Sequence, residues 1–312
     1  MKILVALGGN AILPSGGTGK AAEQEATIDS TSKRLVGIIR EGHDIALTHG
    51  NGPQVGDILL AYDSAKSILS PMPLDVCGAQ SQGMIGYMLQ QSLENELKSV
   101  GIVKSVATVL TQTIVSATDR AFANPTKPIG QFYDEAEAKD LERRNGWSMI
   151  NDSNRGFRRV VPSPNPVSFL ESETIKCLFD EGTVVIAAGG GGVPVVEDAR
   201  LGRYVGVEAV IDKDLTAALL ARLLGVDLLM ILADVDGVFL NYGRPKQKLV
   251  NKLSVQEARE YLAEGQFPAG SMGPKVEAAV RFIEAGGKRA VIGSLERVED
   301  TLAGEAGTNF CL

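Results

Sequence analysis

The sequence predicts an α/β protein built on a largely parallel open sheet, and two observations carry that prediction. Short apolar, β-prone runs alternate with longer stretches of helical periodicity, the pattern of parallel strands joined by helical crossovers. Most runs end in glycine-rich or acidic segments, where an open α/β sheet collects ligands, beyond the carboxyl ends of its strands. The strands expected are Lys2–Ala6, Asp44–Thr48, Val103–Val109, Thr183–Ala187, Leu228–Leu232 and Arg289–Gly293.

The helices between them follow from spacing. Leu215, Leu219, Arg222 and Leu223 form a stripe after Asp212, and Val276, Ala279, Val280 and Ile283 repeat it at i, i+3, i+4 and i+7. Val255, Ala258 and Leu262 make a third stripe, with Ser254 as N-cap, Glu257 completing a capping box and Gly265 as the stop. Between about Thr118 and Pro166 the rhythm breaks. Asn124-Pro125-Thr126-Lys127-Pro128 precedes a charged helix, Glu135–Arg144, then Gly146, Trp147 and a basic Arg155–Arg159 stretch. An irregular segment of that length in a compact domain marks a lid or an inserted subdomain, here a small one projecting from the sheet. Neither a fixed-period repeat nor a low-complexity linker divides the chain, so residues 1–312 read as one domain with the insertion at about 118–166.

Composition narrows the function. Apolar residues make up 44% of 312 and charged residues 22%, enough for a large core without disulfides. A net charge of -7 opposes a broad nucleic-acid or anionic-membrane surface, so any bound anion must be held locally. Cys77, Cys177 and Cys311 are odd in number and widely spaced, which speaks against a disulfide framework and a cysteine zinc site. Met1–Val5 is too short an apolar start for a signal peptide or a spanning helix, and a cytoplasmic protein is expected.

Three glycine segments follow expected strands: Gly8-Gly9-Asn10, His49-Gly50-Asn51-Gly52-Pro53-Gln54-Val55-Gly56, and Gly189-Gly190-Gly191-Gly192. Glycine lets main-chain N–H groups approach an anion without a Cβ in the way. In the second segment Asn51 and Gln54 add uncharged donors, whereas His49, with no carboxylate or thiol partner beside it in sequence, reads as a satisfied strand-end histidine. Four successive glycines have little reason to sit in an ordinary loop, and close approach to a ligand is the expectation. No Gly-Lys-Ser/Thr follows them, so this is not a Walker A loop. Lys213 and Lys275 fall where helices begin. A cation there opposes the helix dipole unless an anion is present, so the pair suits a phosphate. Asp212, Asp214 and Asp234 complete the set, able to orient Lys213, meet a nucleotide or hold magnesium through water.

Together, Val5–Ala11, His49–Gly56, Arg159–Pro164, Ala187–Pro194, Asp234–Val238 and Gly270–Lys275 resemble the carbamate kinases of the amino-acid kinase family, in order along almost the whole chain. The Asp-Val-Asp-Gly and Gly-Met-x-x-Lys types of element are shared across the wider family; the first three segments are the more specific. The resemblance implies a three-layer αβα sandwich with a protruding subdomain. It places carbamate or carbamoyl phosphate in the half before about residue 180 and ATP or ADP, with Mg2+, in the half from about 181. It implies phosphate contacts from Gly8, Gly9, Asn10, Gly50, Asn51, Gly52, Gly189 and Gly190, and catalytic roles for Lys213, Lys275 and Lys127 of the insertion. Asp212, Asp214, Asp234, Tyr242 and Met272 would lie by the nucleotide, and a homodimer is expected. The alternatives are an acetylglutamate, aspartate or UMP kinase of the same family, or a nucleotide sensor without catalysis.

Overall fold

Alternation along the first strand sets the layers. In β1 (Lys2–Leu7), Leu4 and Ala6 face one core while Ile3, Val5 and Leu7 face another, and all five are fully buried. Successive strand residues point to opposite faces, so a run apolar on both faces has to be covered twice. The computed structural model describes residues 1–14, 16–152 and 156–312, leaving Arg155 of the basic stretch outside the described residues.

Seven further strands complete the central sheet: β2 (Asp44–His49), β3 (Val106–Val109), β4 (Val184–Ala187), β5 (Leu228–Ala233), β6 (Lys252–Ser254), β7 (Arg289–Ser294) and β8 (Thr308–Cys311). Their spatial order is β6-β8-β7-β5-β1-β2-β4-β3. Every neighbouring pair is parallel except β7 with β8. The strand expected from Val103 begins only at Val106, because Val103 is fully exposed and a strand there would bury nothing.

One face is covered by α1 (Ala21–Arg40), α3 (Leu74–Ser99) and α9 (Val298–Ala303). The other is covered by α5 (Ser172–Asp180), α6 (Lys213–Leu224), α7 (Val255–Ala263) and α8 (Met272–Glu284). The fold is therefore a three-layer αβα sandwich. Ser254 and Glu257 form the expected capping box, and Gly265 follows the C-cap at φ +70°. No described helix is long and apolar enough to cross a membrane.

The segment from Thr118 to Pro166 contains a three-stranded antiparallel sheet, Lys127–Tyr133, Phe157–Val161 and Ser148–Asn151, with α4 (Glu135–Asn145) beside it. It rests on α2 (Gly52–Ser64) through a small separate core in which Ile129 and Val161 meet Val55, Leu74 and Cys77. That seat brings the start of the Lys127–Tyr133 strand over the carboxyl ends of β1, β2 and β4.

Candidate active site

β1, β2 and β4 end together at the middle of the sheet, and each runs into a glycine segment. After β1, Gly8 is fixed by protein: its N–H donates to the Leu232 carbonyl at 2.9 Å, and a Cβ would lie 3.0 Å from that oxygen. Gly9 faces open space and lines a cavity of about 270 Å³, whereas Asn10, in the same short turn, does not line it.

After β2, the polar segment turns out to begin a helix. Gly52 and Pro53 are the first residues of α2, and proline suits that place because its missing N–H has no partner to lose there. Asn51, the N-cap, does not cap; its side chain donates to Ser81 Oγ at 2.7 Å. The free N–H groups of α2 thus open on the cavity, lined here by Gly50, Asn51 and Gly52. His49 is buried, and its Nδ1–H donates to the Gly50 carbonyl at 2.9 Å. Burial lowers its pKa to about 4, opposed by that carbonyl and assisted by Lys213, so the ring is neutral.

After β4, the four-glycine run corrects an expectation. A Cβ on Gly189 would lie 2.3 Å from His49 Nε2, on Gly190 2.1 Å from Asn51 Nδ2, on Gly191 2.4 Å from the Ile211 carbonyl oxygen, and on Gly192 2.0 Å from Thr113 Oγ1. Protein atoms, rather than a ligand, account for the absent side chains. The run is a tight left-handed turn packed against the loop after β2, Ile211 and Thr113, and of the four only Gly190 reaches the cavity wall.

Three lysines converge on this cavity from three elements: Lys127 from the insertion, Lys213 from the first residue of α6 and Lys275 from the first turn of α8. Asp214 is buried with its two oxygens turned to Lys213 and Lys275, each 2.7 Å away. Of the roles open to it from sequence, orienting Lys213 is the one its contacts show, and it fixes Lys275 beside it. Burial works to raise its pKa, but the two lysines outweigh this and hold it lowered to about 2. Lys213 is lowered by its own burial and by Lys275, against the pull of Asp214 and Asp212. Asp212 likewise spends both oxygens inside the protein, Oδ1 accepting the Asp214 N–H at 2.9 Å as N-cap of α6 and Oδ2 accepting from Lys127 at 2.8 Å.

Three ammonium groups against two carboxylates leave one positive charge uncompensated, beside two helix N-termini, α2 and α8, that carry no side-chain cap. Both features favour an anion with several oxygens. Ser271 and Lys275 also line a second cavity of about 190 Å³, whose walls include Phe239, Tyr242, Phe267, Pro268 and Met272, with Asp234 at its edge. A flat apolar slot joined to a cationic cavity matches the shape of a nucleotide. The start of α2, Ser271 at the junction and the aromatic walls Phe239 and Phe267 were not singled out from the residues. Proline directly after Gly52 was the one available signal, for α2.

The comparisons with known proteins agree with this geometry. A sequence model of the amino acid kinase family matches residues 1–294. The carbamate kinase of Pyrococcus horikoshii is 51% identical over 309 residues, and carbamate kinase 3 of Staphylococcus aureus is 49% identical over 310, each alignment covering 98% of both chains. Among solved structures, carbamate kinase from Giardia lamblia bound to AMP-PNP superposes with a TM-score of 0.92 at 42% identity, over 99% of this chain and 98% of that one. The chain belongs to the amino acid kinase family and, within it, to the carbamate kinases.

Proposed function

We propose that the chain is an ATP-dependent phosphotransferase that interconverts ATP and carbamate with ADP and carbamoyl phosphate. The observation that carries this reading is the lysine-lined cavity at open helix N-termini, continuous through Ser271 and Lys275 with the apolar slot. A carbamate oxygen is already anionic, so it can attack the γ-phosphorus in line, with ADP leaving on the opposite side and no covalent enzyme intermediate. No general base is needed. The barrier lies in bringing two repelling anions together and in the charge on the phosphoryl oxygens, which positioned cations lower.

In this scheme Asp214 presents Lys213 and Lys275 to the transferring phosphoryl group, and the N–H groups at the starts of α2 and α8 meet its oxygens. Lys127 approaches from the acyl side. The Giardia lamblia relative is bound to AMP-PNP, which supports a nucleotide site, and the slot between Tyr242 and Met272 is where this reading puts the nucleotide. Mg2+ is read as part of the MgATP substrate, held mainly by phosphate oxygens and water. An acceptor bearing a second carboxylate would call for a cationic clamp beyond the lysines; the wall next to Lys127 is Val55, Pro128, Ile129 and Val210. That apolar wall suits the small carbamate.

A homodimer is part of the proposal. β3 is one edge strand of the central sheet, and next to it α3 exposes Val76, Met84 and Tyr87 on one side. A sheet edge beside exposed apolar side chains is a surface that a second copy can cover.

The test is ATP formation from ADP and carbamoyl phosphate, run beside phosphorylation of acetylglutamate, aspartate and UMP, with Lys127→Ala measured in the same assays. Carbamoyl-phosphate-dependent ATP synthesis that needs a divalent cation is expected, with Lys127→Ala impairing turnover or carbamoyl-phosphate KM but not ADP affinity. Efficient use of one of the other acceptors without carbamoyl-phosphate activity would overturn the assignment.

A further inference from the structure

Gly56 closes the polar segment after β2, yet it does not line the lysine cavity. It sits one turn into α2, where the Lys127–Tyr133 strand crosses the helix. A Cβ on Gly56 would lie 3.5 Å from Gly130 Cα, 3.8 Å from Gly130 N and 3.9 Å from its carbonyl carbon. A methyl group would fit there in ordinary contact with Gly130, and on its other side Gly56 borders the cleft between α2 and the insertion. Valine adds two γ-carbons about 1.5 Å further out, and one turned toward Gly130 would come well inside the roughly 3.5–4.0 Å at which carbon atoms rest against each other.

Gly130 is glycine for a different reason. Its φ is +72°, and a Cβ there would meet nothing within 4 Å, so conformation and not space excludes a side chain. The strand slips register between Ile129 and Tyr133 at this point. Arg158 holds the irregularity from behind: its Nε donates to the Gly130 carbonyl at 3.1 Å, its guanidinium lies 5.2 Å from the Phe132 ring centroid, and it pairs with Asp152 at 3.1 Å. Lys127 is three residues upstream on the same strand.

We infer that the Gly56–Gly130 crossing is the positioning device that sets the height of the insertion above α2, and with it the reach of Lys127 into the lysine cavity. The inference rests on the role proposed for Lys127. Beside the crossing, a cleft of about 330 Å³ separates α2 from the insertion, walled by Leu59, Tyr62, Tyr133 and Trp147. This leaves the crossing and the Ile129 core as the close seats on that side. A shift of about 1 Å in a group that meets the reacting atoms can lower rates by up to about 10²-fold.

The experiment compares Gly56→Ala with Gly56→Val in the full-length protein. Trp147 is the single tryptophan, half-buried under Arg159 at 4.6 Å and facing the cleft, so its emission reports how the insertion is seated. Gly56→Ala is expected to keep wild-type turnover and emission. Gly56→Val is expected to lower turnover roughly 10- to 10²-fold, with red-shifted, more quencher-accessible Trp147 emission and unchanged ADP KM. If Gly56→Val does not fold, Gly130→Ala is the second variant: its methyl meets no neighbour, but it strains the left-handed backbone at the crossing, and lowered turnover with shifted Trp147 emission is again expected. Wild-type turnover and emission in the valine variant would overturn the inference, as would ADP affinity lost in parallel with turnover. A Trp147 shift with normal turnover would keep the seat but remove its link to catalysis, and a harmless Lys127→Ala would place that failure in the role of Lys127.

Discussion

Asp214→Asn isolates the electrostatic core of the site, because it keeps the size of the side chain and removes the charge shared by Lys213 and Lys275. At 2.7 Å and an effective dielectric of about 20, each contact has a gross attraction of roughly 6 kcal/mol. Desolvation of the buried groups offsets much of this. Removing one member of a buried ionic set leaves the others uncompensated and costs about 3–5 kcal/mol. An amide would also turn N–H donors toward an ammonium that has only donors. The variant should be less stable by that amount, and turnover should fall by roughly 10²–10³, the range for losing one preorganised electrostatic group. Lys275→Ala should fall in the same range, and the double variant should be little worse than Asp214→Asn, because the carboxylate acts through the lysines.

The pH profile gives an independent reading. Burial places the Lys213 pKa below the ordinary lysine value of 10.5, with Asp214 opposing the shift. A protonated lysine is required, so activity is full on the acid side and lost as pH rises through that lowered value. Without Asp214 the alkaline limb of kcat should move to still lower pH. For Asp214 itself the sign is opposite: held at about 2 against 3.8, it stabilises the fold above pH 3.8, and that contribution is lost as pH falls toward 2. Asp214→Asn with unaltered turnover and an unmoved alkaline limb would refute the reasoning.

The remaining predictions concern His49 and the sheet edge. With its pKa lowered from 6.5 to about 4 by burial, His49 binds a proton more readily in the unfolded chain. Stability should therefore decline as pH falls from 6.5 toward 4, by roughly 3 kcal/mol. Chemical denaturation across that window should show a flatter slope for His49→Asn, and an identical slope would remove His49 as the cause. Tyr87→Glu, placing a charge on the exposed side of α3, should shift the mass measured by light scattering toward the monomer; an unchanged dimer would move the interface elsewhere.

The fold was legible where periodicity is strong. β1 shows an apolar run because helices cover both faces, and in α8 the stripe Val276, Ala279, Val280 and Ile283 is the buried one. In α6 the stripe read from spacing, Leu215, Leu219, Arg222 and Leu223, is the outer one, and Ala217, Leu220, Ala221 and Leu224 are buried instead, small alanines giving too weak an apolar signal to mark the inner face. The capping box at Ser254 and Glu257 is local chemistry that tertiary packing has no reason to override. Val103 misled because it is β-prone by type, whereas the sheet reaches only as far as Val106. Lys213 and Lys275 could be found from their place at helix starts, whereas Lys127, on a strand of the insertion, was reached only through the resemblance. What brings them together could not be found, since Asp214 lies 61 residues from Lys275 and Asp212 lies 85 from Lys127. The glycine run shows the limit most clearly: four residues without side chains are visible in any reading, but whether a ligand or His49, Asn51, Ile211 and Thr113 fill the space is a property of the assembled fold.

The overall charge and the local charge of this protein have opposite signs, and the fold explains how both hold. A chain of net charge -7 repels anions at a distance, but at physiological salt that repulsion fades beyond about 8 Å. Inside the cavity the balance is set by three lysines and two aspartates whose oxygens are already committed. The aspartates keep the lysines charged and close together without neutralising all of them, and the charge left over is the one a phosphoryl group completes. Full compensation would make the empty site more stable and the bound anion less so. The paired carboxylates therefore hold the site one negative charge short, and that deficit is what the substrate supplies.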